Sequence, residues 1–176
     1  VNLNQQVAQE TQPANPTQSL GRLFGNALVA IDANQEGDTF LIVSRGGNYV
    51  FRASLDANGA LTLGAPNVVR FQTGNLPNGV VISRDGRRAY VNNEANVSIT
   101  AIALDTNTVL PNGRDIAAGE APRPGTFGHS VLVGKLAFFT ALGMPDNGIF
   151  DTPIRDIVPL SDRGKASDNA WSSCGS

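Results

Sequence analysis

Two stretches of this chain share one pattern, and the second follows the first at a fixed distance. Gly37 aligns with Gly86, a spacing of 86 − 37 = 49 residues. At that spacing Ile42 falls on Val91, Val50 on Ile99, Leu55 on Leu104, Asp56 on Asp105 and Asn58 on Asn107. Apolar positions meet apolar positions, and turn formers meet turn formers. In the first copy, apolar runs at Ala27–Ile31, Thr39–Val43 and Asn48–Ala53 are rich in the β-branched and aromatic residues that favour strands. Asp56-Ala57-Asn58-Gly59 then makes a hairpin turn before Ala60–Leu63. In the second copy, Asn78–Ile82, Ala89–Val91 and Val97–Leu104 supply the strands, with Asp85-Gly86 and Asp105-Thr106-Asn107 as turns. Repeats of about 40–50 residues with about four short strands each mark the blades of a β-propeller. A non-repeating β-sandwich whose hairpins resemble one another is the alternative. The fold class expected is therefore mainly β: two propeller-like blades of about 49 residues, with a short helix after them.

A blade cannot bury both of its faces alone, and propellers close with about four to eight of them. Two blades are thus expected to belong to a longer polypeptide or to dock against another body. Before the blades, residues 1–26 form a polar arm rich in Gln, Asn, Thr and Pro, with one short strand expected around Val1–Leu3. The blades occupy 27–121. Ala121-Pro122-Arg123-Pro124-Gly125 reads as a linker into a third region, 122–176. There, apolar residues at 131, 132, 133, 136, 138, 139 and 142 predict a short helix over His129–Leu142, stopped by Gly143–Gly148. From Ile149 to Ser176 the chain reads as a loop that wraps something.

Composition removes several function classes. Thirteen Lys and Arg against fifteen Asp and Glu leave a net charge of −2, without the basic footprint of a nucleic-acid binder. No apolar run reaches the roughly 18 residues of a membrane span. The single cysteine, Cys174, allows neither an intrachain disulfide nor a Cys-cluster zinc site. The single histidine, His129, is the one residue a Ser-His-Asp triad could use. Gly134-Lys135 lacks the upstream glycine and following hydroxyl of a phosphate loop. Asp146, Asp151, Asp156, Asp162 and Asp168 fit no EF-hand spacing and read as solvated turn residues.

Two resemblances are more specific. Ser83-Arg84-Asp85-Gly86-Arg87-Arg88-Ala89-Tyr90-Val91-Asn92-Asn93, led in by Leu76-Pro77-Asn78-Gly79-Val80-Val81, resembles the blade signature of YVTN-type propellers. That signature is structural: Asp-Gly makes the turn, and the aromatic and the valine pack between blades. Val133-Gly134-Lys135-Leu136-Ala137-Phe138-Phe139 resembles a helix of the dihaem cytochrome c peroxidase and MauG-like family. In that family a Ser-Cys-x-x-Cys-His motif follows and attaches the first haem. Trp171-Ser172-Ser173-Cys174-Gly175-Ser176 matches the start of such a motif.

The resemblance implies haem c, with Cys174 as a thioether anchor and Trp171, Phe138 and Phe139 beside the porphyrin. The chain supplies the first thiol; the second thiol and the axial histidine of the motif would follow Ser176. No catalysis is expected from residues 1–176 alone, and no residue of the chain is expected to be catalytic or to bind a metal directly. By resemblance, the chain is an N-terminal piece of a periplasmic or extracellular redox protein, with electron transfer or peroxidase-like chemistry in the intact molecule. Its partner would be a redox protein or the rest of the same polypeptide, with no nucleic acid and no transmembrane segment. The competing expectation is an extracellular propeller module for binding or scaffolding, with no haem and Cys174 incidental. Each residue also has a plainer role. A histidine at a helix start is commonly a cap or a surface residue, adjacent phenylalanines are commonly core, and Trp171 could anchor a loop.

Overall fold

The computed structural model describes residues 27–63, 70–140, 151–157 and 174–175. The strand expected near Val1–Leu3 and the helix stop at Gly143–Gly148 lie outside the described residues. What is described is mainly β, with two antiparallel sheets in succession and one short helix after them.

The first sheet runs β1 (Leu28–Ala33), β2 (Thr39–Ser44), β3 (Tyr49–Leu55) and β4 (Leu61–Leu63) in spatial order, and β5 (Arg70–Gln72) pairs with the other end of β3. The second sheet is built from β6 (Pro77–Ile82), β7 (Arg88–Asn93) and β8 (Ser98–Ala103). Two short strands, β9 (Thr108–Val109) and β10 (Ile116–Ala117), pair with opposite ends of β8. The spacing of 49 read in the sequence maps β1 onto β6 and β2 onto β7 residue for residue. It also maps the strand register. Ile31 pairs with Ile42 and Val80 with Val91; Thr39 pairs with Ser54 and Arg88 with Ala103. Even the irregularity repeats: the register shifts between Leu28 and Ala30 in one sheet and between Pro77 and Gly79 in the other. The two units are therefore equivalent propeller-type blades, and the sandwich of chance hairpins is excluded.

The turns repeat by the same chemistry. Gly37 and Gly86 sit at φ 72° and 69°, in the left-handed region that glycine adopts without steric cost. Their N–H groups donate to Asn34 O and Ser83 O. Asn34 Oδ1 accepts the N–H of Thr39, and Ser83 Oγ accepts the equivalent N–H of Arg88, so two different side chains close the same turn. Ser83 Oγ also donates to Asp85 at 2.6 Å, and the Arg87 N–H donates to the same carboxylate. These bonds hold the Asp85 pKa below the ordinary value of 3.8.

One turn is less well served. Asn48 and its equivalent Val97 both adopt positive φ, 53° and 49°. Asparagine tolerates this region, whereas a β-branched residue there is strained by roughly 1–2 kcal/mol. Val97→Asn is expected to stabilise the second blade by about 1 kcal/mol, read as a higher urea midpoint. A lower midpoint would mean that the packing of the Val97 side chain outweighs the strain.

The core lies between the blades and is made from opposite faces of equivalent sheets. From the first come Leu41, Val43, Val50 and Phe71; from the second, Ile82, Ala89, Val91 and Ile102, all buried. Leu41 and Val43 correspond by repeat to Tyr90 and Asn92, which are exposed. Ala89 and Val91 correspond to Phe40 and Ile42, which are only half-buried. One face of the first blade thus packs on the opposite face of the second, as neighbouring blades do. Charged side chains also bond across the seam. The Ile82 N–H donates to Asp32 at 2.7 Å, and the Arg52 guanidinium donates to Leu104 O at 2.8 Å and to Asn107 at 2.6 Å.

Helix α1 (Phe127–Phe139) follows the linker. It starts two residues before the expected His129, because Thr126 is its N-cap: Thr126 Oγ1 accepts the His129 N–H. Its inner stripe is His129, Val133 and Leu136, at helical spacing. Val133 packs with Leu76 and Ala95 of the second blade, with Ile154 of a 3₁₀ turn (Ile154–Asp156) and with Ile157, which caps that turn. That turn falls in the stretch expected to wrap something, and it is pinned to the second blade. The Arg155 guanidinium donates to Asn96 O, Val97 O and Gly119 O. Strands β5, β9 and β10 have two or three residues and so carry no period, and no hairpin turn of the kind that announces β4 marks them in the sequence.

Candidate cofactor attachment site

The C-terminal end of α1 brings together three of the four residues implicated by the haem resemblance. Phe138 and Phe139 meet edge to face, with ring centroids 5.0 Å apart and planes at 90°. Phe139 turns inward against the small cluster under the helix, while Phe138 is 49% exposed. Helix α1 ends at Thr140, a buried residue whose N–H and hydroxyl both donate to Leu136 O.

Cys174 and Gly175 come back onto this helix end. The Gly175 N–H donates to Phe138 O at 3.2 Å. A Cβ at Gly175 would stand 2.9 Å from Phe139 Cδ1 and 3.0 Å from Phe138 Cε1, so the glycine lets the backbone lie against both rings. Cys174, next to it, is an exposed free thiol. Trp171 lies outside the described residues.

Sequence reasoning missed the cation at this site. The Arg45 guanidinium, from the turn after β2, sits 3.9 Å over the Phe139 ring centroid, within cation–π distance. It ties the first blade to the helix end and places a positive charge beside the aromatic pair. Nothing in the sequence links positions 45 and 139; only the docking of α1 across the blade ends does so.

His129 is neither the surface residue nor the side-chain cap that its place at a helix start suggests. It is fully buried, and its Nε2 lies 2.8 Å from Thr152 O. Since the carbonyl only accepts, Nε2 carries the proton and donates. Nδ1 has no hydrogen-bond partner among the described residues. The imidazole is buried, with its Nε2 committed to the backbone just before the 3₁₀ turn.

The described residues therefore fit part of a c-type haem attachment. Cys174 offers an exposed thiol, next in the chain to the glycine that lies against the Phe138–Phe139 pair, and His129 does not fit as the iron ligand because its Nε2 is engaged by Thr152 O. The aspartates of this region that are described, Asp151 and Asp156, form no metal cluster: among the described residues no group of three or more His, Cys, Asp or Glu could hold an ion. No helix among them is long and apolar enough to cross a membrane.

No protein-family model matches the chain, and no curated protein matches it significantly. Several solved structures do. A functionally unknown protein from Desulfotomaculum acetoxidans aligns at 25% identity over 55% of this chain and 30% of its own, with a TM-score of 0.44. Hydrazine synthase from Kuenenia stuttgartiensis aligns at 20% identity over 56% of this chain and 26% of its own, with a TM-score of 0.42. A putative 6-phosphogluconolactonase from Bacteroides fragilis aligns at 18% identity over 58% of this chain and 29% of its own, with a TM-score of 0.39. The chain matches less than a third of the length of each of these.

Proposed function

We propose that the chain is the propeller-bearing part of an extracytoplasmic c-type cytochrome, with Cys174 as a thioether anchor for haem. The observation that carries this reading is the return of Cys174-Gly175 onto the Phe138–Phe139 pair, the residues that the cytochrome resemblance selected from sequence. A porphyrin attached at Cys174 would have an aromatic wall on the protein side, with the half-exposed Phe138 nearest to solvent. Such a group supplies one-electron transfer. The protein's own residues anchor it, exclude water from one side and place the Arg45 charge nearby. Electron transfer or a peroxidase-like reaction belongs to the intact molecule, with a redox protein or the remainder of the polypeptide as partner. The compartment is then periplasmic or extracellular, where c-type haem is attached.

The protein purified from its native host is expected to show a Soret band, and its Cys174 peptide a mass raised by one haem. Cys174→Ser removes the thioether at position 174, leaving at most the single thioether that a second thiol of the motif would form. A colourless protein with an unmodified Cys174 peptide overturns the proposal. In that case the second reading takes its place: an extracellular binding or scaffold module, favoured by the apolar residues exposed on both sheets.

A further inference from the structure

Each blade has one covered face and one open face, and the open faces are not alike. On the second blade the open face carries Gly79, Val81, Tyr90, Asn92 and Ile99. These residues line a shallow apolar groove of about 260 Å³. Val81 is 54% exposed and Tyr90 38%. By repeat they stand where Asp32 and Leu41 stand on the covered face of the first blade. On the first blade the open face carries Ile31, Phe40 and Ile42, with Ile31 64% exposed. By repeat these stand where Val80, Ala89 and Val91 stand, and those three pack in the seam between the blades.

The open face of the second blade is thus a second instance of the surface that already receives a blade. The open face of the first is a second instance of the surface that is received. The groove is also less polar than the seam it repeats. Asp32 and Arg52, which carry the charges across the existing seam, are replaced at equivalent positions by Val81 and Ala101. No ionised side chain lies among the groove residues, so seating an aliphatic face there leaves no buried charge unpaired.

We propose that this groove seats the first blade of a second copy of the chain, head to tail, by continuing the packing of the existing seam. Ile31, Phe40 and Ile42 of the partner copy would lie on Val81, Tyr90 and Ile99. A head-to-tail contact leaves a free donor face and a free acceptor face on every dimer, so association continues until the ring closes or a filament grows.

Light scattering across a concentration series of the full chain tests this. The wild-type chain is expected to pass from monomer to dimer and larger species as concentration rises. Ile31→Lys and Tyr90→Lys are each expected to stay monomeric alone, because each keeps only one working face. Mixed in equal amounts they are expected to form a 1:1 dimer that stops there, through the intact Tyr90 face of one and the intact Ile31 face of the other. Circular dichroism checks that both fold, and Val81→Lys stands in for Tyr90→Lys if that variant does not. A wild-type chain that remains monomeric throughout overturns the proposal. So does a mixture with no dimer, or an Ile31→Lys variant that dimerises alone, which would mean that the groove packs on its own copy.

Discussion

Leu41→Ala is expected to lower the free energy of unfolding by about 2–5 kcal/mol, the range for truncating a fully buried leucine. Leu41 is completely buried in the seam between the blades. Its side chain fills space that neither sheet closes alone. The seam is flanked by strands fixed in register, so it cannot collapse around the missing methyl groups. At a urea slope of about 1–3 kcal/mol per molar, the midpoint should fall by at least about 0.7 M. The informative control is Tyr90→Ala, at the position equivalent to Leu41 on the second blade. There the side chain is 38% exposed, and the cost in dilute protein should stay below about 1 kcal/mol. Equal losses at the two positions would mean that the blades do not pack as described.

Asn75→Ala is expected to be nearly as damaging, through polar groups instead of volume. Asn75 is buried, and its Nδ2 donates to Ile154 O at 3.2 Å and to Ile157 O at 2.7 Å. Its Oδ1 accepts from Asn48, whose own Oδ1 accepts the Leu76 N–H. One side chain therefore joins the first blade, the start of the second, and the 3₁₀ turn beneath α1. Removing it takes the donor from two carbonyls and the acceptor from a buried amide, each worth about 1–3 kcal/mol when left unsatisfied. Partial relaxation brings the expected total to about 2–4 kcal/mol. The loss should be local as well as global, with amide exchange across residues 154–157 accelerating more than exchange in β7. Unchanged exchange in the 3₁₀ turn would show that Arg155 alone holds it.

The blades could be read from sequence because their information is periodic and local. A strand needs alternating apolar residues, and a turn needs Asp, Asn or Gly at a fixed place. A repeat states both twice, so aligning Gly37 with Gly86 was enough to match the strands of one blade to those of the other. The docking of α1 was not legible in this way. It depends on Asn75 and Arg155, which pin the 3₁₀ turn beneath the helix, and on Arg45 over the Phe139 ring, three residues on separate turns whose contacts form only after the blades have formed. His129 shows the same limit. Its place in the first turn of a helix suggested a cap or a solvent-exposed ring, but which side of a helix is buried depends on what docks against it. The Phe138–Phe139 pair was selected from sequence by family resemblance, and no period in the residues themselves distinguished it from ordinary core.

The split outer border of each blade has a consequence for how the protein can go wrong. A long, straight, unpaired strand at the rim of a sheet is a template on which other chains extend by backbone hydrogen bonding. Here β4 and β5 shield opposite ends of β3, and β9 and β10 do the same for β8. The outermost strands are therefore only two or three residues long. Along that outer border a fibril-forming neighbour finds no continuous ladder to add to; the opposite borders, β1 and β6, are each six residues long. Along that border, recruitment of further chains is left to side-chain fit across the open faces, which can discriminate between partners.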